Sequence, residues 1–327
     1  FKTAEIIELP NSGGNHSSPF ITENTEYVVA GTRFSVPGDY SNGDVPINTY
    51  KENFKGHISF VSVDKESGKM DVAFQIATPG VNFDLSHAGK GKSHGWFFFS
   101  CYNTEQANTL LEVNASQKDK DFIMAVNWKK AEEYIKAGKG KKQKVKYAHN
   151  TWDEKTHSGK SEMKNEVLVL DASEFPDICY MIPCPKSPHG CDVDPTGEFI
   201  VGSGKLAALI PVFSFDKMQK AISSKAFEGD YGGIPVIKYE AALHGEVQKP
   251  GLGPLHTEFD GKGNAYTTMF VSSEVVKWDI KSLKVLDRAP TYYCVGHLMI
   301  PGGDSKKPFG KYLVAYNKIT KDRYLPT

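Results

Sequence analysis

The chain has 327 residues, and its 39 lysines and arginines balance 39 aspartates and glutamates, so the formal charge is zero and nothing points to a polyanionic partner. With 39% hydrophobic and 12% aromatic residues, 30 glycines and a mean hydropathy of −0.40, it reads as a soluble, turn-rich globular protein of one large domain or two ordinary ones. Disordered and collagen-like chains are excluded, and no apolar run approaches the roughly 18 residues of a membrane helix. No basic-plus-apolar leader precedes the first strand-like run. The chain opens on Phe1 rather than Met, and the expectation is a piece of something longer.

In chain order, short runs rich in β-branched and aromatic residues predict strands at 26–30, 57–63, 70–76, 95–101, 166–170, 198–202, 264–270, 274–278 and 311–316. Helix is rare. Asn127 to Gly138 has an N-cap, apolar positions at helical spacing and a closing glycine, and Asp216 to Ser223 could form a second short helix. The lysine-rich stretch from Lys136 to Lys146 reads as a solvated loop between helix and strand.

A weak repeat runs through the strands. Asp64 with Gly68, Asp194 with Gly197, and Asp260 with Gly261 and Gly263 each place an aspartate before a turn glycine and a new strand. The carboxylate closes such a turn and glycine supplies the positive φ. Strand–turn–strand units recurring in this way predict an all-β fold, a β-propeller in preference to a sandwich.

Five cysteines, Cys101, Cys179, Cys184, Cys191 and Cys294, are odd in number and sparse, which does not make a disulfide scaffold. Their spacing around His189 is wrong for a zinc knuckle, so incidental strand cysteines are expected. Only Arg33, Arg288 and Arg323 are arginine, which counts against a nucleic-acid reader. No nucleophile elbow, phosphate loop or dinucleotide fingerprint occurs.

Four of the ten histidines share a context. His16, His189, His256 and His297 each follow Gly or Pro within three residues and so open a strand. In a propeller, blade-opening strands line the central channel, where imidazoles distant in sequence would converge. An all-nitrogen set of that kind suits a transition metal, copper above all. Each one alone reads more readily as a turn or core histidine than as a ligand; the four together bring the metal reading level with that one, and no further. His57, His87, His94, His149, His157 and His244 lack the pattern and are expected at the surface or in turns.

These motifs carry a resemblance. Pro185-Lys-Ser-Pro-His-Gly-Cys191, Gly204-Lys-Leu206, the long block from Gly251 to Thr268, Val275-Val-Lys-Trp278, Gly296-His-Leu298 and Lys318-Ile-Thr-Lys-Asp-Arg-Tyr-Leu325 occur in order. Together they resemble the catalytic domain of the nitrous oxide reductase family, in its atypical clade, over nearly the whole chain. The match is weakest between Phe20 and Gly95 and through the lysine-rich stretch. The resemblance implies a seven-bladed β-propeller, incomplete here, with residues 1–327 as part of the N-terminal domain and the C-terminal cupredoxin domain absent. It further implies a head-to-tail homodimer in the periplasm, a c-type cytochrome or similar electron donor, and reduction of nitrous oxide to dinitrogen and water, the final step of denitrification. This piece alone is expected to be inactive.

By the same resemblance, His16, His189, His256 and His297 fall on four of seven histidines that bind a tetranuclear copper–sulfide centre. The other three ligands and a binuclear copper centre would lie outside the chain. Tyr102, Glu105, Asp121 and the backbone carbonyl of Val113 match calcium ligands, and Ser187 stands where the family has asparagine. Lys318 matches a lysine near the cluster and a second calcium. Asp84 matches an acidic residue that orients a cluster histidine. Lys318 is then the expected group that stabilises or protonates the leaving oxygen. Two other classes stay open: a non-catalytic propeller scaffold, and a calcium-dependent propeller hydrolase with acidic residues lining its channel.

Overall fold

Each Asp-to-Gly turn closes on its own aspartate. In the computed structural model, which describes residues 5–16, 20–38, 45–101, 121–153 and 155–319, Asp64 accepts from the N–H groups of Glu66 and Ser67, and Gly68 takes φ +72°. Asp194 accepts from Thr196 and Phe199, with Gly197 at φ +74°. Asp260 does the same for Lys262 and Asn264. A fourth turn, at Asp279, caps the Ser282 N–H but uses Leu283 rather than glycine at positive φ.

The strands these turns connect form five sheets among the described residues. Two are four-stranded antiparallel sheets. The first runs Pro188–Val193, Phe199–Gly204, Leu209–Ser214 and Leu243–Gln248. The second runs Pro254–Phe259, Asn264–Met269, Glu274–Asp279 and Val285–Pro290. A two-stranded sheet, Val295–Met299 with Val314–Asn317, follows them. Before them lies a six-stranded sheet beginning with Phe83–Ala88, Trp96–Cys101 and Phe122–Asn127. The first sheet has eight strands, because the long hairpin Lys141–Asp153 and Ser158–Asp171 adds to Phe54–Val63 and Met70–Pro79. The all-β expectation therefore holds.

First strands of successive sheets, Phe83–Ala88, Pro188–Val193, Pro254–Phe259 and Val295–Met299, adjoin one another in that order. Apolar side chains fill the spaces between sheets. Phe60 stacks on Phe74 at 4.5 Å between ring centroids, and Phe97, Phe99, Phe122 and Met181 extend the same core. Ile182, Val193 and Phe213 fill the next gap, and Val212, Met269 and Trp278 the one after. Fully burying one such side chain is worth about 1.5–3 kcal/mol.

Both expected helices form. Trp128–Lys136 is capped by Asn127, whose side chain accepts from the Lys130 N–H, and Gly138 leaves it at φ +71°. Phe215–Ser223 starts one residue early, on a Ser214 cap. Two four-residue helices, Tyr50–Asn53 and Tyr239–Ala242, were not expected. Among the described residues no helix is long and apolar enough to cross a membrane.

Two expectations are corrected. The lysine-rich stretch is strand from Lys141 onward, since Lys142, Lys144 and Lys146 point to solvent while Gln143, Val145 and Tyr147 face inward against the partner strand. His57 and His87 are not surface residues; each is only 2% exposed, because each lies inside a strand buried on both faces. His157 does sit in a turn, at φ +50°. The cysteines are free, and all but Cys294 are buried core residues.

Candidate metal centre

Four first strands break their register at one equivalent place. The antiparallel pairing slips between Phe83 and Ser86, between Pro188 and Gly190, between Pro254 and Thr257, and between Val295 and Leu298. Asp84, His189, His256 and His297 lie inside these four bulges. A bulge re-aims the side chain it carries away from the regular alternation of the strand. Here it turns one polar residue per sheet toward the neighbouring first strands. Gly190 allows the strands to approach, since a Cβ there would lie 1.9 Å from the Leu255 carbonyl oxygen.

The imidazoles form a row. Ring centroids are 5.9 Å apart for His16 and His189, 4.9 Å for His189 and His256, and 4.3 Å for His256 and His297, the last pair stacked. Asp84, 1% exposed, anchors one end of the row: His189 Nδ1 hydrogen-bonds its Oδ2 at 2.5 Å, and His16 Nδ1 lies 2.5 Å from its Oδ1. An imidazole that gives its Nδ1–H to a carboxylate keeps a lone pair on Nε2. The Nε2 atoms of His189 and His256 are buried and have no partner among the described residues.

Burial and nearby charge favour the neutral form of His189, His256 and His297. Burial would raise the Asp84 carboxyl, but hydrogen bonds from His16 and His189 and the charge of Arg33 outweigh it and keep Asp84 well below the usual carboxylate range. Burial is also the chief reason His189, His256 and His297 sit below their ordinary pKa, and the Lys318 charge pushes all three the same way. Lys318 is exposed over much of its surface, yet desolvation of its inner part lowers it, with Lys205 adding and Asp84 opposing. Its backbone N–H bonds the Cys294 carbonyl, and its side chain runs over Gly296, where a Cβ would lie 2.4 Å from Lys318 Cγ.

Of the expected calcium residues, Tyr102, Glu105 and Val113 lie outside the described residues. Asp121 and Ser187 meet: the Ser187 N–H donates to Asp121 Oδ2 at 2.7 Å, and Ser187 holds φ +54°. Among the described residues no three His, Cys, Asp or Glu side chains stand close enough to hold one metal ion in common. The imidazole rings run instead as a row of neighbouring pairs.

A second polar group went unpredicted. Along the same first strands, His87, Asp192 and Glu258 follow Asp84, His189 and His256 by two or three residues, and Lys90 and Asp304 join them. His87 Nε2 meets Asp304 Oδ1 at 3.0 Å, and Lys90 Nζ donates to the Asp304 carbonyl at 2.6 Å. Burial, then the neighbouring carboxylates, pushes Glu258 up to about 9. Burial pushes Asp192 up to about 8 and Lys90 down to about 8. The only hint in the sequence was a polar residue two or three places after Asp84, His189 and His256, a recurrence that His297 lacks.

A family described as the nitrous oxide reductase propeller repeat matches residues 288–327. Nitrous-oxide reductase of Stutzerimonas stutzeri is 29% identical over 99% of this chain and 47% of its own length. That of Pseudomonas fluorescens is 30% identical over 100% of this chain and 47% of its own. Among solved structures, apo AztD from Citrobacter koseri is 10% identical with a TM-score of 0.41, covering 93% of this chain and 50% of that one. The chain spans about half the length of the curated relatives it matches, and from end to end it resembles nitrous-oxide reductase.

Proposed function

We propose that the chain is the larger part of the propeller of a copper-dependent enzyme that reduces nitrous oxide to dinitrogen and water. The observation that carries this reading is the row of four imidazoles anchored on Asp84, with two buried Nε2 atoms left without a partner among the described residues. Orphaned buried nitrogens cost about 1–3 kcal/mol each, a cost that ligation to a metal would remove. His16, His189, His256 and His297 would hold part of a tetranuclear copper–sulfide cluster, with the remaining ligands supplied from outside this chain. Bound copper would supply the electron density that an inert, poorly coordinating substrate needs.

The chain's own residues would do the rest. Asp84 would orient His16 and His189 through Nδ1 and leave each Nε2 free to bind metal. Burial keeps His189 and His256 unprotonated and therefore able to bind metal. Lys318, beside His297, would stabilise or protonate the oxygen as it leaves. Two electrons and two protons enter per nitrous oxide, and dinitrogen and water depart. The same reading includes seven blades, a following cupredoxin domain with a binuclear copper centre, a head-to-tail homodimer, a periplasmic location, a c-type cytochrome or similar donor, and calcium at Tyr102, Glu105, Val113, Asp121 and Ser187.

A calcium-dependent hydrolase would need acidic residues in place of the imidazoles. Asp192, Glu258 and Asp304 are acidic, but they accompany the imidazoles; Asp304 pairs with His87, and the charge of Lys90 acts on all three. The deciding experiment is copper and sulfide analysis of the full-length protein, with nitrous oxide consumption measured under a reduced donor. Several coppers per chain and turnover support the reading. A full-length protein that takes up no copper when matured in a denitrifying host ends it.

A further inference from the structure

The bulges that aim the site residues free backbone groups, and the structure gives those groups specific partners. Ser100 is the fifth residue of its strand Trp96–Cys101, and Thr268 holds the same place in Asn264–Met269. Each lies opposite a bulge, and each is 0% exposed. The Leu85 N–H, next to Asp84, donates to Ser100 Oγ at 3.0 Å, and Ser100 Oγ donates to the His189 carbonyl at 2.7 Å on the adjoining sheet. The His256 N–H donates to Thr268 Oγ1 at 3.3 Å, and Thr268 Oγ1 donates to the Gly296 carbonyl at 2.6 Å, beside His297. In the sheet between them the fifth residue is Ser203, whose hydroxyl has no partner among the described residues, and there Asp192 makes the link by accepting from the Thr257 N–H at 2.9 Å.

We infer that Ser100 and Thr268 are positioning residues: each hydroxyl ties the bulge of its own sheet to the site-bearing strand of the next and so sets the spacing between neighbouring site residues. The inference rests on reading the four histidines as a metal set, and it deepens that reading. Neither hydroxyl touches the imidazoles themselves; each holds the backbone on which they stand. A hydroxyl serves because it accepts and donates at once, and a buried backbone group left without a partner would cost about 1–3 kcal/mol. Loss of such a support typically weakens metal binding about 10–100-fold.

The test uses the full-length protein and the variants Thr268→Val, Thr268→Ser and Ser100→Ala. Valine keeps the shape of threonine and deletes the hydroxyl, while serine keeps the hydroxyl. In metal-free protein with labelled histidine, Thr268→Val should shift the stacked His256 and His297 ring resonances and leave those of His57 and His87 in place. Thr268→Ser should restore them, and Ser100→Ala should shift His189. In copper-loaded protein, Thr268→Val should bind copper about 10-fold or more weakly and change the visible spectrum. Unmoved resonances in both Thr268→Val and Ser100→Ala overturn the inference, as does failure of Thr268→Ser to restore them. Absence of copper in the unsubstituted protein instead sinks the functional reading, and the metal-free resonances still decide the role of the hydroxyls.

Discussion

Asp84 and His189 meet at 2.5 Å from the first strands of two different sheets, and a bulge in each strand makes the meeting possible. The same carboxylate holds His16, so one buried anion fixes two imidazoles that belong to distant parts of the sequence. Asp84→Asn keeps the size but replaces one acceptor oxygen with an NH2 group. That group would face an imidazole N–H, donor against donor. Copper affinity of the full-length protein should fall about 10–100-fold, read by titration with a competing chelator. Because Asp84 is held below its ordinary pKa, its contribution to stability is present above that ordinary value and is lost as pH falls through its folded one. Asp84→Asn should therefore be less stable than the unsubstituted protein at neutral pH, with the difference narrowing in strong acid. Unchanged copper affinity would remove Asp84 from the site.

Lys318 can be tested by removal and by displacement. Lys318→Ala should leave copper content intact and lower turnover about 10²–10⁴-fold, the usual range for a lost general acid. Gly296→Ala leaves the lysine present but puts a Cβ 2.4–2.7 Å from Lys318 Cγ, Cδ and Cε, so the side chain must move aside. Turnover should fall in the same direction with copper retained. Full turnover in Lys318→Ala ends the assignment.

How far the sequence reaches differs from feature to feature. Asp64, Asp194 and Asp260 were readable because a carboxylate capping its own turn and a glycine at positive φ are local matters. His16, His189, His256 and His297 could be picked out by their Gly and Pro neighbours, which place them where strands begin. The bulges were not readable, since a bulge is a mismatch between two strands and appears in neither alone. Nor was the bond from Ser100 to the His189 carbonyl, which joins two sheets. The roles of Asp84 and Lys318 came from the family resemblance, not from any pattern in the chain. Lys142 and Lys144 hid a strand because its other face, Gln143 and Val145, is only half-buried.

Asp192 gives the protein an alkaline weakness. Burial keeps its folded carboxyl protonated up to about 8, against an ordinary value of 3.8. The folded state thus binds more protons than the unfolded state between those values, so stability is full below the lower one and drains as pH rises toward the upper one. Asp192→Asn stays neutral throughout, and its Oδ1 can still accept from the Thr257 N–H. The melting temperatures of the two proteins should agree near about pH 4 and separate near about pH 9, with the variant higher. Glu258 carries the same sign, so some alkaline loss should persist in the variant. Melting curves that stay parallel across this range would mean that Asp192 is ionised in the fold.

Gly190 offers the sharpest steric test, because its neighbour is backbone rather than a yielding side chain. A Cβ would sit 1.9 Å from the Leu255 carbonyl oxygen and 3.0 Å from Ser203 Cβ, so either the strand carrying His189 or the strand carrying His256 must retreat. Overpacking of this kind costs about 1–3 kcal/mol, occasionally more. Retreat would also lengthen the 4.9 Å separation of the His189 and His256 rings, which the Gly190 approach allows. Gly190→Ala should therefore lower the melting temperature and weaken copper binding together. Gly68→Ala is the control, since it strains a turn at φ +72° with no atom of the described residues within 4 Å of the new Cβ. It should lower stability and leave copper affinity unchanged. If both variants lose stability and both keep copper, the close approach at Gly190 serves packing alone.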